Sequence, residues 1–385
     1  MVLPPGCLYI PGVFLYICVK DYNMVNYVKR ILVTGGCGFI GNHLVRKLVK
    51  EHKEWLIVNM DILSYAGVAD NLKDIEGEEN YRFEYGDVKD EFFLSMVFAN
   101  YAITDVIHLA AESHVDNSIS APMEFLFNNT VGTVALLETA RQYWNHAGGG
   151  LEGHKFYYFS TDEVFGALED GDIVEAWTEC SPIKPNSPYS ASKASADLFC
   201  RAYHKTYGMP VVISHMCNAY GPRQFPEKLI PATIERILND EPIIVYDQGK
   251  QMREWIHTDD VANAACVVFE KGVPGESYNI GTGCDEENIE LVRFIINHVC
   301  SKTGKNPLDV FKNIKFVENA RPGHDFRYLL HHGKIFNELG WETEVPLSVG
   351  LKSTIDWYLE NREWVENIKS GKYKENNKKY MVTPW

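Results

Sequence analysis

The sequence predicts an α/β fold, a doubly wound parallel sheet followed by a smaller, mixed α/β C-terminal lobe. Three observations predict it. A glycine-rich turn joins a short apolar strand to a helix within Arg30–Gly41. An acid, Asp61, closes the next strand-like run. Strand-like and helix-like segments then alternate from Val28 to about Ser214.

The first unit is the most specific. Ile31–Thr34 reads as a buried strand, and Leu44, Val45, Leu48 and Val49 share one face of the helix that follows. Between them, Gly35 permits a tight turn, Gly38 lets a pyrophosphate approach bare backbone, and Gly41 lets the helix pack close to the strand. Phe39 and Ile40 complete the turn. The helix start offers unpaired N–H groups and a positive dipole end to phosphates. Trp55–Asp61 reads as the second strand. Asp61 lies about 20 residues beyond Gly41, where a carboxylate bonds the ribose 2′-hydroxyl of NAD and repels the 2′-phosphate of NADP. The competing reading is a bare glycine turn in an α/β protein without a ligand. The acid at Asp61 favours a Rossmann-type NAD site.

The remaining strands follow in order. Tyr81–Val88 is the third and carries Asp87 and Val88 at its end. Asp105–Ala111 is the fourth; Ala110 and Ala111, beside Leu109, leave room for a cofactor across the strand tips. A long helix is expected over 122–143, apolar at Phe125, Val131, Val134, Leu137 and Ala140. Lys155–Thr161 and Val211–Ser214 are the fifth and sixth strands. After Met216 the pattern loosens at Pro222, Pro226, Pro231 and Pro242. A helix is expected over 229–239, and a loop from Val245 to Arg253. The expected organisation is a dispensable extension over 1–23 ahead of a second methionine, Met24, then a dinucleotide-binding domain over 24–216. A lobe over 217–385 follows, with segments returning to the main sheet.

Bulk properties narrow the function. The 385 residues carry 37 Lys+Arg against 52 Asp+Glu, a net charge of −15 with no basic run, which argues against nucleic-acid binding. Leu8–Val19 is apolar but contains Pro11 and Gly12, is too short to span a bilayer, and lacks a signal peptide's positive flank. No membrane role is expected. Nine scattered cysteines, without a C-x-x-C pair or metal spacing, suggest reduced thiols in the cytoplasm and no metal site.

Two clusters carry chemistry. Tyr189 and Lys193 stand four residues apart at a helix start after Pro185 and Pro188, hence on one face. An ammonium beside a phenol lowers its pKa, so the pair can take a proton from an alcohol as hydride leaves for a nicotinamide. Alone, the spacing is most often a surface pair; after an NAD fingerprint it is not. Thr161, Asp162 and Glu163 follow the fifth strand, at the ligand crevice of an open sheet. Adjacent carboxylates are ordinarily a solvated turn. In a dry site their pKa values can separate into one acid and one base, as an elimination requires.

Gly-x-x-Gly-x-x-Gly with Tyr-x-x-x-Lys resembles the extended short-chain dehydrogenase/reductases. The finer motifs are similar to those of the dTDP-glucose 4,6-dehydratases: Asn59-Met60-Asp61 with Ser64-Tyr65-Ala66-Gly67, His108–Asp116, Ser160–Val164, Gln224–Pro231 and Arg321–Asp325. The resemblance runs from about Val28 to the C-terminus. It implies a homodimer and NAD-dependent water loss from a nucleoside-diphosphate glucose, giving the 4-keto-6-deoxy sugar. Tyr189 would be the base at carbon 4, tuned by Lys193, with Thr161 on the 4-hydroxyl. Glu163 would take the carbon 5 proton, and Asp162 would protonate the leaving 6-hydroxyl. Implied substrate contacts are Ser113, Asn218, Lys228, Leu229, Tyr246, Arg253, Asn288, Arg321, His324 and Tyr380. Lys228, Arg253 and Arg321 supply the positive charge a diphosphate needs in an acidic protein. Asn117, Asn128 and Phe165 depart from the family pattern without removing a group the mechanism requires. The nucleobase, dTDP or UDP, stays open. A non-catalytic NAD-binding sensor is the rival reading from another class; retention of Tyr189, Lys193, Asp162 and Glu163 together speaks against it.

Overall fold

The computed structural model describes residues 27–169, 175–318 and 325–381, together with the backbone of two short antiparallel strands, Cys7–Tyr9 and Tyr16–Cys18. The main sheet has seven strands. They are β1 (Lys29–Thr34), β2 (Trp55–Asp61), β3 (Tyr81–Tyr85), β4 (Asp105–His108), β5 (Lys155–Phe159), β6 (Val211–Met216) and β7 (Ser277–Ile280). All pairings are parallel, in the order β7-β6-β5-β4-β1-β2-β3. The order reverses at β1, so the connections leaving β1 and β4 turn to opposite faces and leave the crevice where open sheets of this kind bind ligands.

Why the sheet is buried on both faces is visible in single strands. Ile31 and Val33 join the core on one face and Leu32 joins the core on the other, all fully buried. Period-two alternation thus carries apolar side chains to both sides, as a parallel sheet covered by helices requires. Helix α1 (Phe39–Glu51) buries Leu44, Val45, Leu48 and Val49, the face its spacing predicts.

Two expectations need correction, and one strand was not foreseen. The helix over 122–143 is divided: Pro122–Phe125 passes through a π-type turn at Leu126–Val131 into α2 (Gly132–His146), and Val131 is exposed. The segment after Val245 is not all loop. Ile243–Tyr246 pairs in parallel with Ile314–Val317, and Met252–His257 pairs with both Asn218–Tyr220 and Asp285–Glu287. Strand β7 was not legible as a strand of its own, because Ser277 and Asn279 interrupt its apolar pattern. The lobe has a separate core built on Ile230, Ile234, Ile243, Val245, Trp255, Val292 and Ile296. Among the described residues, no helix is long and apolar enough to cross a membrane.

Candidate active site

Two adjoining cavities open along the carboxyl ends of the strands. The first, about 330 Å³, is lined by Gly35, Gly38, Phe39, Ile40, Gly41, Asp61, Asp87, Val88, Leu109, Ala110, Ala111, Tyr189 and Lys193, all expected at the cofactor. The second, about 420 Å³, is lined by Thr161, Asp162, Glu163, Tyr189 and the expected substrate contacts Ser113, Asn218, Lys228, Leu229, Tyr246, Arg253 and Asn288. Tyr189 belongs to both and marks their junction.

The glycine turn fits a dinucleotide. Gly35 has φ +75°, and a Cβ there would lie 2.7 Å from the Ala110 nitrogen. A Cβ on Gly41 would lie 2.2 Å from the Gly35 carbonyl, so only glycine allows the turn and helix to close. Gly38 caps α1 without a side chain, leaving the backbone N–H groups of the helix start uncovered. The Asp61 carboxylate accepts from the Cys37 and Leu63 N–H groups at 2.9 and 2.8 Å. Burial raises its pKa and those bonds oppose the shift.

Helix α3 (Pro188–Tyr207) carries the phenol and the amine. A capping box, in which Ser187 and Ser190 satisfy each other's backbone N–H groups, fixes its start, with Pro188 in the first turn. Tyr189 therefore sits at the helix mouth and Lys193 one turn deeper. The expected pairing is only partly met. Lys193 Nζ donates to the Phe159 carbonyl at 2.5 Å and stands over the Tyr158 ring at 4.4 Å. Burial depresses its pKa to about 7. Burial and then the Glu163 and Asp162 charges push the Tyr189 phenol up, while a Thr161 hydrogen bond opposes them.

Thr161 caps the short turn Asp162–Phe165 and donates to Asp162 Oδ1 at 3.0 Å. Asp162 is 1% exposed, and its Oδ2 has no hydrogen-bond partner among the described residues. Burial first, then the Glu163 and Glu254 charges, hold its pKa well above the carboxylate range. Burial at the cavity wall thus favours the protonated form of Asp162. Glu254, fully buried, accepts from the N–H groups of Thr282, Gly283 and Leu330, and burial raises its pKa to about 7. The Arg253 guanidinium is held by the Met252, Asp325 and Phe326 carbonyls and lies 4.6 Å from the Tyr328 ring centre.

Some expected residues stand elsewhere. Arg321 and His324 lie outside the described residues. Tyr380 lines neither cavity: its ring packs edge-on to Phe83 at 5.6 Å and its hydroxyl donates to Glu76 at 3.3 Å, because the C-terminal segment runs back over the edge of the main sheet. Phe165 is buried against His215 and does not line either cavity. Sequence reasoning missed Tyr65 and Glu227, which meet at the junction with Tyr65 Oη donating to Glu227 Oε1 at 3.0 Å. Both stood inside motifs already singled out. It also missed Asp325, which closes the Arg321–Asp325 motif, and Tyr328 and Glu254, where no local pattern signals a role. Among the described residues, no group of three or more His, Cys, Asp or Glu side chains is placed to hold a metal ion.

A Rossmann crevice with Tyr-x-x-x-Lys at its lip, opening into a second cavity under a C-terminal lobe, defines an extended short-chain dehydrogenase/reductase. Comparison with known proteins narrows the class. The family model described as GDP-mannose 4,6 dehydratase matches residues 32–354, and the chain belongs to that family. It is 42% identical over 351 residues to the dTDP-glucose 4,6-dehydratase of Salmonella typhimurium, covering 89% of this chain and 96% of the relative. It is 43% identical over 351 residues to that of Neisseria meningitidis serogroup B, covering 90% and 98%. The crystal structure of DesIV, the dTDP-glucose 4,6-dehydratase of Streptomyces venezuelae, with NAD and TYD bound, superposes with a TM-score of 0.79. The two are 40% identical, over 88% of this chain and 99% of DesIV.

Proposed function

We propose that the protein is an NAD-dependent dTDP-glucose 4,6-dehydratase. The observation that carries this reading is the Asp162–Glu163 pair in the same cavity as Tyr189, with the Asp162 carboxyl group buried and thereby pushed toward its protonated form beside a second acid. Similarity to dehydratases over nearly the whole chain supports it, as does the NAD in DesIV.

The glycine turn and helix start would hold the NAD pyrophosphate, and Asp61 its adenosine ribose. NAD bound there would supply the hydride acceptor for carbon 4 and the hydride donor for carbon 6. Tyr189 takes the carbon 4 hydroxyl proton, with Thr161 orienting that hydroxyl. The ketone acidifies the carbon 5 proton, which Glu163 removes. Asp162 protonates the 6-hydroxyl, which departs as water, and Glu163 gives its proton back to carbon 5 as hydride reaches carbon 6. Lys228, at the start of the helix Leu229–Leu238, and Arg253 bring positive potential to the diphosphate, with Ser113, Asn218, Tyr246 and Asn288 as further contacts. Arg321 and His324 complete the set expected from the resemblance.

The reading extends to a homodimer. Met123, Leu126, Phe127 and Val131, with Leu198 and Phe199 of α3, are large apolar side chains exposed on neighbouring helices, which supports self-association there. The scattered, unpaired cysteine spacing supports a reducing compartment, the cytoplasm. The deciding experiment supplies dTDP-glucose and UDP-glucose in parallel with NAD and measures 4-keto-6-deoxy product. Faster turnover of dTDP-glucose is expected. Preference for UDP-glucose would reassign the nucleobase, and no product from either would refute the dehydratase reading.

A further inference from the structure

The loop after β2 is built into the cofactor cavity. Ile62, Ser64, Tyr65, Ala66 and Gly67 line it, and the Leu63 N–H is one of the two that fix Asp61. This loop is held from outside by the end of the chain. Tyr373 Oη donates to the Tyr65 carbonyl at 2.6 Å. The buried Asn377 amide bridges the next turn, donating to the Gly67 carbonyl at 2.8 Å and accepting from the Ala69 N–H at 3.1 Å. Trp364 Nε1 donates to Asn71 at 2.9 Å, and Asn376 to Asp70 at 2.6 Å. Val68 packs with Ile368 and Tyr373 in a small apolar cluster.

The same segment is tethered at its other end to the lobe. Arg362 and Lys369 both bind Glu235, Lys369 at 3.1 Å. Glu235 sits on the helix Leu229–Leu238, whose first turn lines the substrate cavity. On the inner side, Glu227 of the lobe accepts from Tyr65 Oη. The loop is therefore gripped from both sides by parts of the chain distant in sequence.

We propose that residues 362–381 form a strap that retains NAD in its cavity between turnovers, with Tyr373 and Asn377 as positioning residues acting through the loop 62–71. The inference rests on the NAD reading above. It suits that chemistry, because hydride taken from carbon 4 goes back to carbon 6 and the cofactor never needs to leave. Buried backbone groups of the loop that lose Asn377 have no replacement partner, so the loop opens more readily.

The test uses full-length enzyme loaded with NAD and follows its exchange against excess fluorescent etheno-NAD. Asn377→Ala and Tyr373→Phe are expected to release NAD about tenfold faster and to be purified with less of it bound. Their lost turnover should return at saturating NAD. Glu375→Ala, on the outward face of the same helix, should behave as wild type. If the wild type binds NAD and both folded variants release it at the wild-type rate, the strap is refuted while the cofactor reading stands. Turnover that saturating NAD does not restore also refutes it. A wild type that takes up no NAD overturns both. Tyr373→Phe keeps the buried ring and decides the matter if Asn377→Ala fails to fold.

Discussion

Asp162 and Tyr189 share one cavity, yet their assigned steps can be separated. Asparagine is nearly the shape of aspartate and cannot donate a carboxylic proton. Asp162→Asn should therefore still oxidise carbon 4 but lose water about two to four orders of magnitude more slowly. Sugar nucleotide mixed with this variant should raise the absorbance of reduced nicotinamide with little 4-keto-6-deoxy product. Tyr189→Phe should show neither, and wild-type product from Asp162→Asn would overturn the roles. Lys193 gives a stability prediction. Its folded pKa of about 7 lies below the unfolded 10.5, so between these values the unfolded chain binds the extra proton. The stability it contributes is present above about pH 10.5 and is lost as pH falls through 7. Denaturant melts should show the wild type losing ground to Lys193→Met as pH drops from 9 to 6, by at most about 1.4 kcal/mol per unit. A pH-independent difference would show that the amine is not desolvated. Tyr189, Lys193, Asp162 and Glu163 were legible because each sits at a fixed offset from an element end. The direction of the Lys193 amine was not, since its carbonyl partner, Phe159, lies on strand β5, 34 residues away.

Strand β1, the glycine turn and α1 were legible as a unit because their information is local: an apolar run, three glycines, a helical stripe. Met252–His257 and Ile243–Tyr246 were not, because their partners lie far along the chain and prolines nearby suggest loops. Gly41 tests how tightly the first unit closes. In an open helix, Gly→Ala stabilises by up to about 1 kcal/mol. Here the new Cβ would stand 2.2 Å from the Gly35 carbonyl and 2.7 Å from the Gly36 Cα. Those are backbone atoms, so the strand–helix junction must shift, and overpacking of this kind costs about 1–3 kcal/mol. The clash outweighs the propensity. Gly41→Ala should melt earlier than wild type and bind NAD more weakly, by calorimetry. Unchanged stability would mean that the turn has room that its geometry denies.

At the scale of the whole molecule, the N-terminal segment and an exposed apolar face each invite a test. The main sheet begins at Lys29, so a chain starting at Met24 should fold and turn over as the full one does, and insolubility would contradict this. The exposed apolar face makes the larger claim. Met123, Leu126, Phe127, Val131, Leu198 and Phe199 stand on two helical segments that pack against each other, one of them the helix that carries Tyr189 and Lys193. Each residue alone would be ordinary surface; six together form a patch of the kind that marks an interface. A symmetric pair would bury the same patch on both copies. Light scattering should then give about twice the 43.9 kDa chain mass. Leu198→Glu with Phe127→Glu places charges where water would be excluded, an unpaired burial costing several kcal/mol, and should give monomers. Because α3 would then lose its partner, the variant should also turn over more slowly and melt earlier, although neither substitution lines a cavity. A monomeric wild type, or a double variant that remains dimeric, would remove this face as the interface.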